Sequence, residues 1–249
     1  VFTDEMADYL KSICDAVQTS VDRLYIVAGN HDVDRDVDGR HDVIRKVFYD
    51  SERYYHPDNG IIEPEDLSVI MTGEKDFLSF LSKIYDADRL KLYGNPKMPH
   101  FNIETEHFNI LHVDTNLAYT SGQEHNDLFV GTKLLYDAVR TLNKNKPTIL
   151  LSHYPVTSLM QGEKKVLSTM LQHNRVRLWL AGHEHDQVLQ KVHYIYSLQA
   201  GVLRNEQDVR SSVLLGRYDP TTCACFVNAH TWFEEGWAKY PYVDLENTP

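Results

Sequence analysis

The sequence predicts a mixed α/β fold in which strands layer against helices. Three observations carry that expectation. Short apolar runs at 24–28, 108–113, 148–152 and 176–181 read as strands. Segments 3–19, 131–142 and 166–171 place apolar residues at helical spacing between them. Beyond residue 192 the pattern changes to strands at 194–197, 211–218 and 222–228 joined by turns, Asp219-Pro220 being one.

Each element has a local reason. The first helix has Thr3 as N-cap, with Asp4 and Glu5 at the positive end of its dipole. Its expected buried stripe is Met6, Leu10, Ile13 and Val17. Leu24 to Ala28 is apolar without alternation and ends in Gly29, which predicts a strand buried on both faces and half of a β-α-β pattern. Residues 33–107 are rich in charge and tyrosine and read as an insertion over the rim of a site. Within it, Asp66 to Leu90 contains one helix with Phe77, Phe80, Leu81, Ile84 and Tyr85 on one side, and Pro96 and Pro99 interrupt regular structure after it. The helix at 131–142 turns Leu134, Leu135, Ala138, Val139 and Leu142 inward. There is no internal repeat or low-complexity segment. The expected organisation is one domain over 1–249, with the insertion at 33–107 and C-terminal strands and tail at 192–249.

Composition bounds the function. A chain of 249 residues suffices for a sizeable core. The net charge of -11 argues against broad nucleic-acid binding, which needs a basic face, yet leaves room for nucleic acid at a metal site, where bound cations invert the local field. No apolar run reaches the ~18 residues that span a membrane, and residues 1–15 are amphipathic and acidic, unlike a signal peptide. Cys14, Cys223 and Cys225 lack zinc-site spacing and read as reduced thiols. A cytoplasmic protein without membrane contact is expected. The valine start and the linker-like end Asp244-Leu245-Glu246-Asn247-Thr248-Pro249 predict a piece of something longer, with further domains of the same protein on either side.

Three clusters come directly after predicted strands. They are Gly29-Asn30-His31-Asp32, Ser152-His153-Tyr154-Pro155 and Gly182-His183-Glu184-His185. Ligands in open α/β sheets bind outside the carboxyl ends of strands, so these clusters converge. Neutral imidazole and amide oxygen suit Mn, Fe, Zn or Ni. The glycines permit tight turns. A carboxylate near an imidazole favours its charged form, so His31 beside Asp32 suits protonation of a leaving group. Taken singly, Asn-His-Asp after glycine is also an ordinary turn, and a histidine at a strand end is more often a surface residue than a ligand. All three clusters in this order outweigh those readings.

These clusters resemble the calcineurin-like metallophosphoesterases, over about residues 1–215. Asp114-Thr115-Asn116 and the Gly131 helix resemble the phosphodiesterase-like branch, and Val33-Asp34-Arg35 its bacterial members. The resemblance implies a four-layer α/β/β/α sandwich holding two divalent metal ions. Asn30, His153 and His183 would bind one ion and His185 the other. His31 would be the general acid, oriented by Asp32. A metal-bound hydroxide would attack phosphorus in line. The family begins with a strand ending in Asp-x-His and a second ending in Gly-Asp, whose aspartate bridges the ions. This sequence contains neither. The implied fold is thus N-terminally truncated, this chain supplies only part of the ligands, and its activity alone is in doubt.

The remaining histidines, His41, His56, His100, His107, His112, His125, His173, His193 and His230, read as structural or surface residues. Arg35 could contact a phosphate or form a surface salt bridge. The tyrosine-rich stretch 49–55 could stack on bases or pack the insertion onto the core. Trp232 and Trp237 would cover the sandwich edge or meet a neighbouring domain. Two functions are compatible with these residues. The first is a hydrolase acting on a phosphodiester, nucleotide or nucleic-acid substrate. The alternative is a non-catalytic scaffold or interaction module that keeps the fold.

Overall fold

The computed structural model describes residues 2–49, 62–120, 128–183, 185, 188–192, 195–201, 211–222, 224–233 and 236–239. The tyrosine stretch beyond 49, Glu184, His56, His125, His193 and Cys223 lie outside the described residues.

Helix α1 spans Asp4–Ala16 and begins where Thr3 Oγ1 accepts the Met6 N–H at 3.2 Å. Its buried line runs through Ala7 and Cys14, one heptad apart. Met6 and Val17, expected inward, are 45% and 65% exposed, whereas Ile13 is half-buried and Leu10 packs against the core, so only the middle of the expected stripe faces inward. Small residues at 7 and 14 let the helix lie close to its neighbours, which hydrophobicity alone does not signal.

Residues Leu24–Ala28 are not a sheet strand, contrary to the sequence reading. Their alternate carbonyls are instead taken by side chains. Leu24 O accepts from Tyr85 Oη at 2.9 Å, Ile26 O from Tyr93 Oη at 3.0 Å and Ala28 O from Asn116 Nδ2 at 2.5 Å. The spacing 24, 26, 28 is that of an extended chain. Two phenols and an amide thus replace a strand ladder in satisfying the backbone.

The helical region after residue 33 is broken more often than its apolar pattern indicates. Helix α2 (Arg40–Ile44) runs on as a π-helical turn over Arg45–Tyr49. The single helix expected within 66–90 is three: α3 (Pro64–Met71), α4 (Lys75–Leu81) and α5 (Ala87–Tyr93). The first break falls at Gly73, where a Cβ would come 2.7 Å from Arg40 Nε and 2.8 Å from Asp34 O. The second falls at Asp86, whose Oδ1 caps α5 by accepting the Arg89 N–H at 2.8 Å. Phe77, Phe80, Leu81, Ile84 and Tyr85 are buried as expected and form one cluster with Ala7, Ala28, Tyr93 and Phe101.

The main sheet has β1 (Phe101–Glu104), β2 (Asn109–His112), β3 (Thr148–Leu151), β4 (Val176–Ala181), β5 (Val188–Val192) and β6 (Ile195–Gln199) in the order β1-β2-β3-β4-β6-β5. Strands β2, β3, β4 and β6 are mutually parallel and the two edges antiparallel. Register places Leu111, Leu150 and Trp179 in one row. That row packs on α6 (Thr132–Val139) and α7 (Gln161–His173) through Leu135, Ala138, Leu167 and Leu171. Ile149, Leu178, Leu180 and Leu198 line an apolar cleft of about 540 Å³ with Val213, Leu214 and Val227. Those last three belong to the second sheet, an antiparallel meander of β7 (Ser212–Tyr218), β8 (Cys225–Phe233) and β9 (Gly236–Lys239). The layers therefore run helices, sheet, sheet. Trp232 and Trp237 pair across β8 and β9, ring centroids 5.5 Å apart.

Because β2, β3 and β4 are parallel, the segments after them emerge at one edge of the sheet. Asp114, His153 and His183 all lie just past that edge.

Candidate metal centre

The first loop closes on itself. Asp32 N donates to Gly29 O at 3.0 Å and Gly29 N donates to Asp32 Oδ2 at 2.8 Å, which lifts Asn30 and His31 out of the chain. Gly29 is required by proximity, since a Cβ there would stand 3.0 Å from His153 Cε1. It does not have a left-handed φ.

The second loop is fixed from both sides. Trp179 Nε1 donates to Ser152 Oγ at 2.7 Å, and Ser152 Oγ donates to Tyr154 O at 2.7 Å. From the neighbouring strand end, Thr115 Oγ1 accepts the Tyr154 N–H at 3.0 Å. His153 between them brings Nε2 to 3.1 Å from Asn30 Oδ1. An amide oxygen only accepts, so Nε2 carries the proton in this arrangement.

The third loop holds the strain that the sequence assigned to glycine. Gly182 N donates to His153 O at 2.9 Å. His183 has φ 78° and His185 φ 58°. Left-handed conformations cost an L-residue about 1–2 kcal/mol, and such strain concentrates where geometry serves function. The His183 ring lies 5.2 Å from the His153 ring and 4.1 Å from that of Tyr154.

Burial pushes the His153 imidazole down to about 3, and the neighbouring His183, His31 and His185 rings push the same way. A neutral imidazole is the form that ligates a metal. Burial raises the Asp32 carboxyl above its ordinary value against the pull of the Gly29 N–H and of His31.

The structure thus brings Asn30, His153 and His183 together. His31 and His185 are exposed and near enough to act on His153 through their charge. His31 and Asp32 line a cleft of about 430 Å³ with Asp34, Asp76, Phe80 and Lys83. Asp32 gives its carboxylate to the Gly29 N–H. Arg35 lies over the Tyr119 ring, 5.5 Å from its centroid, and pairs with no carboxylate among the described residues.

Two ligands about 2.1 Å from one ion lie roughly 3–3.4 Å apart. The 3.1 Å between Asn30 Oδ1 and His153 Nε2 matches such an edge. Among the described residues no group of three or more His, Cys, Asp and Glu is arranged to hold an ion. The described residues bring together two imidazoles and an amide oxygen. They fit part of one site.

Sequence reasoning left out the residues behind these three. Arg40, 1% exposed, donates from Nε to Ile70 O at 2.8 Å, from one terminal nitrogen to Tyr119 O at 2.7 Å and from the other to Asn116 O at 3.4 Å. It ties the segment after the first loop to the 114–119 turn. Its fully buried neighbour Glu74 is held well above the usual carboxylate range by burial, and then by the Asp114 carboxylate. An arginine inside a charged stretch gives no sequence signal of burial.

The chain matches the family of calcineurin-like phosphoesterases over residues 2–187. The uncharacterized metallophosphoesterase-like protein YydB of Bacillus subtilis (strain 168) is 24% identical over 194 residues, covering 75% of this chain. The chain spans 38% of the length of that relative. Among solved structures, GAP50, the anchor in the inner membrane complex of Plasmodium, is 12% identical with a TM-score of 0.29, over 56% of this chain and 47% of that one. A putative 5'-nucleotidase from Staphylococcus aureus is 11% identical with a TM-score of 0.30, over 60% of this chain and 30% of that one.

Proposed function

This chain belongs to the calcineurin-like phosphoesterase family, and from that premise we propose that it forms part of a metal-dependent phosphoester hydrolase acting on a phosphodiester, nucleotide or nucleic-acid end. The observation that carries the reading is the meeting of Asn30 Oδ1 and His153 Nε2 at 3.1 Å beside the His183 ring.

In this reading Asn30, His153 and His183 hold one ion and His185 contributes to a second. Bound divalent ions such as manganese would supply charge stabilisation and a nucleophile at neutral pH. The chain's own residues do the rest. Burial keeps His153 neutral and able to ligate. The Gly29–Asp32 turn fixes Asn30 in place. His31, exposed on the wall of the 430 Å³ cleft, would deliver a proton to the leaving oxygen of a substrate lying there. Neither Asp-x-His nor Gly-Asp occurs in the sequence, so the remaining ligands of the family pattern are not among these residues.

The test is manganese-dependent hydrolysis of bis-p-nitrophenyl phosphate by the full-length protein, beside His31→Ala and His183→Ala. Loss of a ligand is expected to lower the His183→Ala rate by roughly a hundredfold or more. His31→Ala should lose less here, because p-nitrophenolate leaves readily without a proton. Equal rates in all three proteins would overturn the assignment.

A further inference from the structure

We propose that Thr115 and Asn116, in the turn after β2, are positioning residues that set the distance between Asn30 and His153. The inference rests on the metal-centre reading above and adds residues that make no contact with ion or substrate.

The two residues reach in opposite directions from one turn. Asn116 Nδ2 donates at 2.5 Å to Ala28 O, two residues before Asn30. Thr115 Oγ1 accepts at 3.0 Å from the N–H of Tyr154, the residue after His153. The turn is itself held, because Asn116 N donates to Asp114 Oδ1 at 2.8 Å and His100 Nδ1 accepts the Asp114 N–H at 3.1 Å. The other nitrogen of His100 bonds Val130 O at 2.7 Å, which anchors the turn to the core.

The loop carrying Asn30 has no strand ladder to place it. The carbonyls of Leu24, Ile26 and Ala28 are taken by side chains, and Asn116 is the one of them nearest the site. Misplacing that carbonyl would move Asn30 away from His153. Thr115 and Asn116 are 0% and 1% exposed. Asn116 Oδ1 is buried without a hydrogen-bond partner among the described residues. A residue kept only for stability would not leave an oxygen orphaned, because that loses free energy. Retaining it fits a residue whose N–H end has a positional task.

The experiment uses cobalt(II) alone as the probe and the full-length protein in native, Thr115→Val, Thr115→Ser and Asn116→Leu forms. Cobalt affinity is read from its absorption spectrum, the His153 ring from its ¹⁵N signals without metal, and folding from the melting temperature. Thr115→Val and Asn116→Leu should bind cobalt about tenfold more weakly or worse. Both should lose the Nε2–H signature of the Asn30 hydrogen bond. Thr115→Ser keeps the hydroxyl and should behave as native. Asn116→Leu removes the orphan Oδ1 but leaves Ala28 O without its donor, so one unpaired oxygen replaces another and the melting temperature should stay near native. Native affinity and ring signals in Thr115→Val would overturn the proposal, as would equal losses in the serine and valine variants. Should Thr115→Val fail to fold, Asn116→Leu decides by the same two readouts. A native protein that binds no cobalt would count against the proposed function. The metal-free ring signals would still decide the positioning role, retention in the variants refuting it and loss supporting it.

Discussion

Gly29 and Gly182 precede two of the three histidine-bearing loops, yet their surroundings differ. A methyl group at Gly29 would lie 3.0 Å from His153 Cε1 and 3.2 Å from its Nδ1. At Gly182 the nearest atom would be His153 Nδ1 at 3.8 Å, an ordinary contact. Neither glycine has a left-handed φ. Gly29→Ala should therefore displace the His153 ring and cut manganese-dependent hydrolysis about tenfold or more, as loss of a ligand's supporting contact does. Gly182→Ala should stay within about twofold of native, since nothing has to move. Parallel rate measurements check this, and similar losses in both would mean that the turns, not the ring contact, need glycine. The left-handed strain is carried by His183 and His185 themselves. No sequence pattern signals a histidine in that conformation, so this part of the site was illegible beforehand.

Strand β2 meets β1 and α5 at His112, and the junction makes stability depend on pH. The ring stacks on Phe101 at 4.6 Å and 10°, meets Tyr93 edge-on and brings Nε2 to 3.3 Å from Tyr93 Oη. Burial, and then the Arg89 guanidinium, push the imidazole down to about 3. The unfolded ring titrates near 6.5. Below that pH the unfolded chain takes up a proton that the folded chain refuses, so stability falls as pH drops from about 6.5 toward 3. His112→Phe removes this proton and should flatten the fall by about 1.4 kcal/mol per pH unit between roughly pH 6 and 4. Urea unfolding at several pH values measures it; parallel profiles for native and variant would refute it. At this scale β2, β3, β4 and α6 were legible because they are apolar and periodic. The segment 24–28 was misread because its hydrogen bonds come from Tyr85, Tyr93 and Asn116, all distant in sequence. The single helix expected within 66–90 is divided at Gly73, where Arg40 Nε and Asp34 O leave no room for a side chain, and at Asp86, which caps α5; neither is signalled by the apolar pattern. Strands β1, β5 and β9 were overlooked because edge strands need no apolar run.

The described residues set a mixed sheet, parallel at its centre, between a helix layer and a second sheet, so the loops of β2, β3 and β4 share one edge. That topology brings His153 and His183 together, and Asn116 from the β2 loop holds the Ala28 carbonyl just before Asn30, so three residues far apart in the chain become neighbours. The candidate residues stand out in the sequence because Asn and His cluster beside glycine, although the segment before Asn30 is not a strand. Thr115, Asn116 and Tyr154 were not legible as supports, because Thr115 and Asn116 bond backbone atoms that any sequence offers and Tyr154 presents only a ring face. We propose that these three loops form a divalent-ion site. Manganese(II) titration of the full-length protein, with free ion monitored by electron paramagnetic resonance, beside a His153→Ala, His183→Ala double variant, tests this directly. Bound manganese in the native protein and its loss in the variant is the predicted result; no binding in the native protein, or equal binding in both, would contradict the claim.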